Sequence, residues 1–333
     1  MKLKIQNQTK IISLTFSLFL MSLTACIFKK ENKEITLAGN NIQTDDTIYM
    51  KFPYRIDVKD SLLILFDLAS NNYFYQVYTY PSLQYSHSVG FKGSSPDEIT
   101  LPTPFQISIN NLLILDGAKG ILFKYNLDND SIVERVNFNT NLTVDFISLN
   151  DTTIVIEDMS GKNRLLVKSP NSTKPLFTIP QIDEKENNIG YLWRSFMSYN
   201  KNSNKIAMAT QSGDVIEIYD LKTKDKYIYI GKGGVPRSAS QIEGYHDIKW
   251  INNEVYALFS GRSREELNIM FEAGKRMPDG GNILKIFDEE GNLLRSLKLD
   301  QYINGFTYDE TRNCILGISS NSDNPIYIFD LTQ

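Results

Sequence analysis

From Lys51 onward the chain alternates short apolar runs with polar breaks. The runs include LLILFD, LLILDG, TTIVIED, DVIEIYDL and NEVYALFS, rich in Ile, Val, Leu, Tyr and Phe. Asn, Asp, Gly, Ser and Pro separate them, which is strand-and-turn punctuation. Helical periodicity is almost absent, so the pattern predicts an all-β fold. One exception lies in the segment GRSREELNIMFEAGKRMPDGG. Ser263 and Glu266 have capping-box spacing, apolar Leu267, Met270 and Phe271 follow, and Gly274 suits a stop.

The runs repeat in units of about 40–58 residues, the period of propeller blades. Each unit opens on a similar strand: PYRIDV, PFQISI, TVDFIS, WRSFMS, YHDIKW and NGFTYD. One column of that alignment is polar or small: Arg55, Gln106, Asp145, Ser195, Asp247 and Gly305, or Asn304 if the last unit slips by one. An apolar residue follows each. This is the signature of an innermost strand with one face on a central channel and the other between blades. Six units are present, but the last has three strands. Residues 35–50 are expected to supply its outer strand, so that both termini close one blade and no edge stays open. The predicted architecture is a six-bladed β-propeller of four-stranded antiparallel blades.

The N-terminal segment has a different pattern. Lys2, Lys4 and Lys10 precede an apolar run from Ile11 to Leu23, short for a membrane span but suited to a secretory signal. It ends in Leu23-Thr24-Ala25-Cys26, which resembles a bacterial lipobox. The reading is a signal peptide over 1–25, a lipidated Cys26 with a polar tether over 26–34, and the propeller over 35–333. The protein is then expected to be exported and lipid-anchored in the cell envelope, on the outer membrane, with the membrane itself a partner. Removing residues 1–25 takes the formal charge from −4 to −7, which gives no electrostatic footprint for nucleic acid. Cys314 has no second cysteine to pair with once Cys26 is acylated, and its strand-like setting reads as core.

Catalytic motifs are scarce. His87 and His246 are the only histidines, and neither HExxH, GxSxG nor GxxxxGK[ST] occurs. The run Gly231-Lys232-Gly233-Gly234 reads as a turn. The longer loops fall on the face formed by connections from second to third strands and from one blade to the next. A binding site at the channel mouth is therefore expected, with Arg55, Gln106, Asp145, Arg194, His246 and Asp247 as candidates. Asp145 and Asp247 could bind Ca²⁺ or act as acid and base, or could simply be offset by Arg55 and Arg194; no other cofactor is expected. Tyr54, Trp193, Tyr245 and Trp250 could form a sugar-stacking platform, but at their spacing most read better as inter-blade core.

Several stretches carry a family resemblance: GFKGSSPDEI (residues 90–99), PFQISINNLLILD, DIKWINNEVYALFSGR and ILKIFDEEGNLLRSLKLD. Together they are similar to the TolB-like six-bladed propeller lipoproteins of Bacteroides-type bacteria. The first departs from the family's Gly-x-Gly-Pro-x-Glu turn, with Ser94-Ser95 before Pro96. The resemblance implies fold and location more than chemistry. Three functions stay open: a binding module for an envelope protein, peptide or glycan; a propeller lactonase, lyase or glycan-active hydrolase; and a structural accessory of an envelope complex. The lack of a catalytic constellation favours the first.

Overall fold

A computed structural model describes residues 35–43, 50–108, 110–140, 142–178, 188–237, 242–274 and 279–332. The signal segment, Cys26 and its tether lie outside the described residues. From Ile35 on the chain is one compact unit.

Six sheets follow one another along the chain. Blade 1 runs from Pro53–Lys59 to Tyr85–Phe91, blade 2 from Gln106–Ile107 to Ile132–Asn137, and blade 3 from Phe146–Asn150 to Ser172–Leu176. Blade 4 runs from Ser195–Asn200 to Lys226–Ile230, and blade 5 from Tyr245–Ile251 to Leu293–Ile303. Blade 6 holds Gly305–Asp309, Cys314–Ile318 and Ile326–Asp330. The N-terminal strand β2, Gly39–Ile42, pairs antiparallel with Ile326–Asp330 and completes blade 6 as the pattern predicts.

The structure adds a strand that the pattern did not announce. β1, Ile35–Leu37, pairs parallel with Leu293–Ile303 and makes blade 5 five-stranded. The N-terminal segment therefore bridges two blades. Asp300 Oδ1 accepts the Gly39 N–H at 2.9 Å and pins the crossing point. A Cβ at Gly39 would lie 2.7 Å from a ring carbon of Phe329, so the strand can approach this closely only as glycine.

Alternation of side chains dictates how the blades join. In Leu62–Asp67, Leu63 and Leu65 pack with Leu316 and Ile318 of blade 6. Their neighbours Ile64 and Phe66 pack with Phe105, Leu112 and Ile114 of blade 2. A second strand covered on both faces must be apolar throughout, which is why LLILFD and LLILDG show no alternation. The other joints repeat the scheme, with Leu115 against Phe146, Val155 against Ile206, and Ala207 and Ile216 against Ile248 and Val255. Trp193 and Tyr245 are buried in such contacts, and Tyr54 and Trp250 pack at their margin, as core spacing implied. Cys314 is buried in its strand.

Strand direction places the turns from first to second and from third to fourth strands on one side, the turn face. The remaining connections form the loop face, where the long segments gather. Helix α1, Ile189–Leu192, and helix α2, Arg264–Glu272, lie in those connections. The capping box of α2 forms as predicted, with Ser263 Oγ accepting from Glu266 N–H, and Gly274 ends the segment at φ 65°. No residue of α2 is buried.

The turn over residues 90–99 is structural. Glu98 accepts the Ser95 N–H at 2.8 Å, Gly93 N–H reaches Ile99 O at 3.0 Å, and a Cβ at Gly93 would strike the Glu98 carboxylate. Gly231-Lys232-Gly233-Gly234 is likewise wrapped around Asp214, whose backbone carbonyl accepts the Gly231 N–H at 2.8 Å.

Candidate functional site: a polar cavity in the channel

The inner strand of every blade is an edge strand, with N–H groups that its own sheet cannot satisfy. In blades 3 to 6, polar side chains of the preceding blade take one of them. Gln106 of blade 2 accepts the Ser148 N–H of blade 3 at 2.9 Å and donates to Phe146 O at 2.5 Å. Asp145 accepts the Met197 N–H of blade 4 at 3.1 Å as well as the N–H of Phe146 at 2.8 Å. Ser198 Oγ accepts the Trp250 N–H of blade 5 at 3.0 Å. Asp247 accepts the Phe306 N–H of blade 6 at 3.0 Å and the N–H of Ile248 at 2.9 Å. These side chains fasten blades 2 to 6 in succession around the channel.

Arg55 closes this system between blades 1, 5 and 6. Its Nε lies 3.4 Å from Asp247 Oδ1, and its Nη1 donates to Tyr54 O and Asn304 O at 2.7 and 3.0 Å. Its guanidinium lies over the rings of Tyr54 and Phe196, 3.9 and 4.4 Å from their centroids. Only Nη2 is left, buried and without a hydrogen-bond partner among the described residues. Burial pushes the Asp145 carboxyl up to about 7, against the two N–H donors and the Arg55 charge that favour the anion.

Below this buried layer the channel opens into a cavity of about 320 Å³, within the usual size range of small-molecule sites. Arg55, Gln106, Asp145 and Asp247 line it, together with Asp57, Ser198, Tyr199 and Lys249. It shares Gln106, Ile107, Ser148 and Tyr199 with a wider mouth of about 560 Å³, bounded by Lys59, Ser108, Asp151 and Lys201. These last residues sit at the ends of inner strands and in the first turns. The opening is thus on the turn face, while the long loops crowd the opposite one.

Of the six candidates from sequence, four reach the cavity. Arg194 does not: its Nε donates to Gln211 Oε1 at 2.7 Å on the loop face. His246 points away from Asp247 and lies 3.5 Å from Glu243 Oε1. The offsetting of Asp247 by Arg55 is seen; Arg194 takes no part in it. Ser195 of the column is turned into the blade 3–blade 4 joint, where Arg164 donates to it.

Two important residues were not singled out from sequence. Lys249 Nζ lies 2.9 Å from Asp57 Oδ2, and both side chains stay about one quarter exposed, at 26% and 27%. Burial pulls the Lys249 ammonium down, yet Asp57 and Asp247 outweigh it and raise its pKa. Asp57 Oδ1 also accepts the Thr307 hydroxyl at 2.7 Å and the Val58 N–H at 2.9 Å. Both residues lie two positions beyond a column residue, on the same face of their strands, so the period-2 rule could have found them.

A family model described as TolB-like 6-blade propeller-like matches residues 30–311. No curated protein matches the sequence. Among solved structures, the chain is similar to a member of the DUF4221 family from Bacteroides vulgatus, with 12% identity, a TM-score of 0.63, and coverage of 90% of this chain and 98% of that one. It is also similar to a putative exported protein from Bacteroides fragilis, with 14% identity, a TM-score of 0.57, and coverage of 88% and 94%. At these identities the likeness speaks for the fold alone. The repeat, the ring and the matched model agree: the chain belongs to the TolB-like six-blade propeller family.

Proposed function

We propose that this protein is a lipid-anchored cell-envelope propeller that works as a binding module and takes its ligand into the channel cavity from the turn face. The observation that carries the reading is the cavity itself, polar, open at one end and held by a stitched ring of strands. Asp145 and Asp247 are the carboxylates an enzyme would need as acid and base. Each has both oxygens engaged by backbone N–H groups, which supports binding over catalysis. The lipobox-like Leu23-Thr24-Ala25-Cys26 supports the anchor, and the Bacteroides fragilis relative is described as exported. A thermal-shift screen of the soluble propeller against envelope glycans and peptides tests the binding role: at least one should raise the melting temperature, and a flat screen contradicts it. Replacing Cys26 with Ser tests the anchor, since unchanged membrane fractionation and unchanged mass would refute it.

A second reading has its own observation. Helix α2 is fixed at both ends of its loop, by Arg262 on Glu243 at 2.7 Å and by the Asp279 N–H on Asn321 Oδ1 at 2.8 Å. It nevertheless holds Ile269 and Phe271 out at 59% and 72% exposure. This suits docking of an envelope protein on the loop face. Pull-down with Ile269→Ser/Phe271→Ser, which keeps both anchors, should lose partners that the unaltered protein retains; an identical partner set removes this reading.

A further inference from the structure

The cavity has a chemical bias that narrows its ligand, and the argument rests on reading the channel as the binding site. We infer that it recognises a neutral, polyhydroxylated ligand of monosaccharide size, with the Lys249–Asp57 pair gripping a vicinal diol.

The pair sets a donor and an acceptor side by side, 2.9 Å apart and partly exposed to the cavity. Two adjacent hydroxyls match that spacing: one oxygen accepts from the ammonium while its neighbour donates to the carboxylate. The grip is preorganised. Asp57 is held by the Thr307 hydroxyl and the Val58 N–H, so it need not reorder to receive a ligand. Lys249 uses one of its three N–H bonds on Asp57. Ser198 Oγ accepts from Trp250, and its own O–H finds no acceptor among the described residues. Spare donors therefore coexist with carboxylates that keep lone pairs, the mixed demand that a sugar hydroxyl meets and a simple ion does not.

Charge points the same way. The lining holds two cations, Arg55 and Lys249, against Asp57, Asp145 and Asp247, with Asp145 half neutralised near pH 7. The cations and carboxylates nearly balance, so a ligand with net charge would enter without a countercharge and lose its hydration. A neutral polyol gives up less. Its apolar C–H face can rest on Tyr199, Ile107 and Pro104, which are among the apolar residues of the wall.

Titration calorimetry of the intact propeller at pH 7 tests this with D-galactose, D-mannose, L-fucose and N-acetyl-D-glucosamine, beside the charged probes D-glucuronate and ethanolamine and short peptides. At least one neutral sugar should bind saturably, and the charged probes should not. Asp57→Asn/Lys249→Gln exchanges the ion pair for amides of similar shape and should weaken that sugar by about tenfold or more. Ser148→Tyr, which narrows the mouth without touching the pair, should abolish binding, and melting curves establish that both variants fold. Saturable binding by a peptide or a charged probe, with every neutral sugar failing, overturns the diol inference but upholds the channel as a binding site. Failure of all probes, or sugar binding indifferent to both variants, overturns it as well, and in those cases the channel reading falls with it.

Discussion

At the scale of single residues, burial decides which charges are structural and which remain available. Asp145 is nearly enclosed, and its folded pKa of about 7 stands above the ordinary value of 3.8. The folded state thus holds the proton more tightly than the unfolded chain does. The stability this group contributes is present below about pH 4 and falls as pH rises towards 7. Glu157, raised by burial despite Arg164, acts in the same direction. Unfolding free energy should therefore decline between pH 5 and pH 7, by up to about 1.4 kcal/mol per pH unit from Asp145. Denaturant melts should show a shallower slope in Asp145→Asn; an unchanged slope would remove Asp145 as the cause. Arg164 offers a second test. It bridges Glu157 and Glu217 at 2.7 Å each, all three buried. Arg164→Met leaves two carboxylates facing each other without a cation, and should cost about 3–5 kcal/mol in the same melts. Sequence alignment found the column because inner strands repeat in phase. It missed Asp57 and Lys249 because their blades differ at that position. It misplaced the reach of Arg194 because side-chain direction at a loop–strand border does not follow strand alternation.

Among the elements, two contrasts stand out. Helix α2 was readable because a capping box is a local signal, and Ser263 and Glu266 complete it without help from the rest of the fold. Its apolar residues, by contrast, do not find a core. Ser263→Ala should cost about 1 kcal/mol of helix stability. The loss should appear as faster amide exchange over residues 264–274, with the global melt unchanged; a global shift would mean that the helix is coupled to the ring. Strand β1 was not readable. It has three residues, two of them exposed, and gains its place by parallel pairing with Leu293–Ile303, which leaves no alternating pattern. Strand β2 was read from a counting argument, the missing fourth strand of blade 6. Gly39 joins the two. Gly39→Val would push into Phe329 and Asp300 and should destabilise the ring by about 1–3 kcal/mol in thermal or denaturant unfolding.

For the whole molecule, closure is the controlling feature. Each blade buries one face of its strands against each neighbour, so losing one joint exposes core on two blades. Deleting residues 35–42 would open an edge on blade 6 and strip the outermost strand from blade 5. The deletion should lower the melting temperature sharply and broaden the transition; a cooperative melt within a few degrees of the intact chain would show that the ring does not depend on its N-terminal strands. This closed ring also fixes the channel, and with it the cavity that opens on the turn face. The central claim is that the cavity, not the loop face, receives the ligand. Hydrogen–deuterium exchange with and without the ligand found in the envelope screen compares the two directly. Protection should concentrate on residues 56–60, 147–151 and 197–201, at the ends of the inner strands, with residues 262–274 unchanged. Protection confined to residues 262–274 would contradict the claim and assign binding to the loop face.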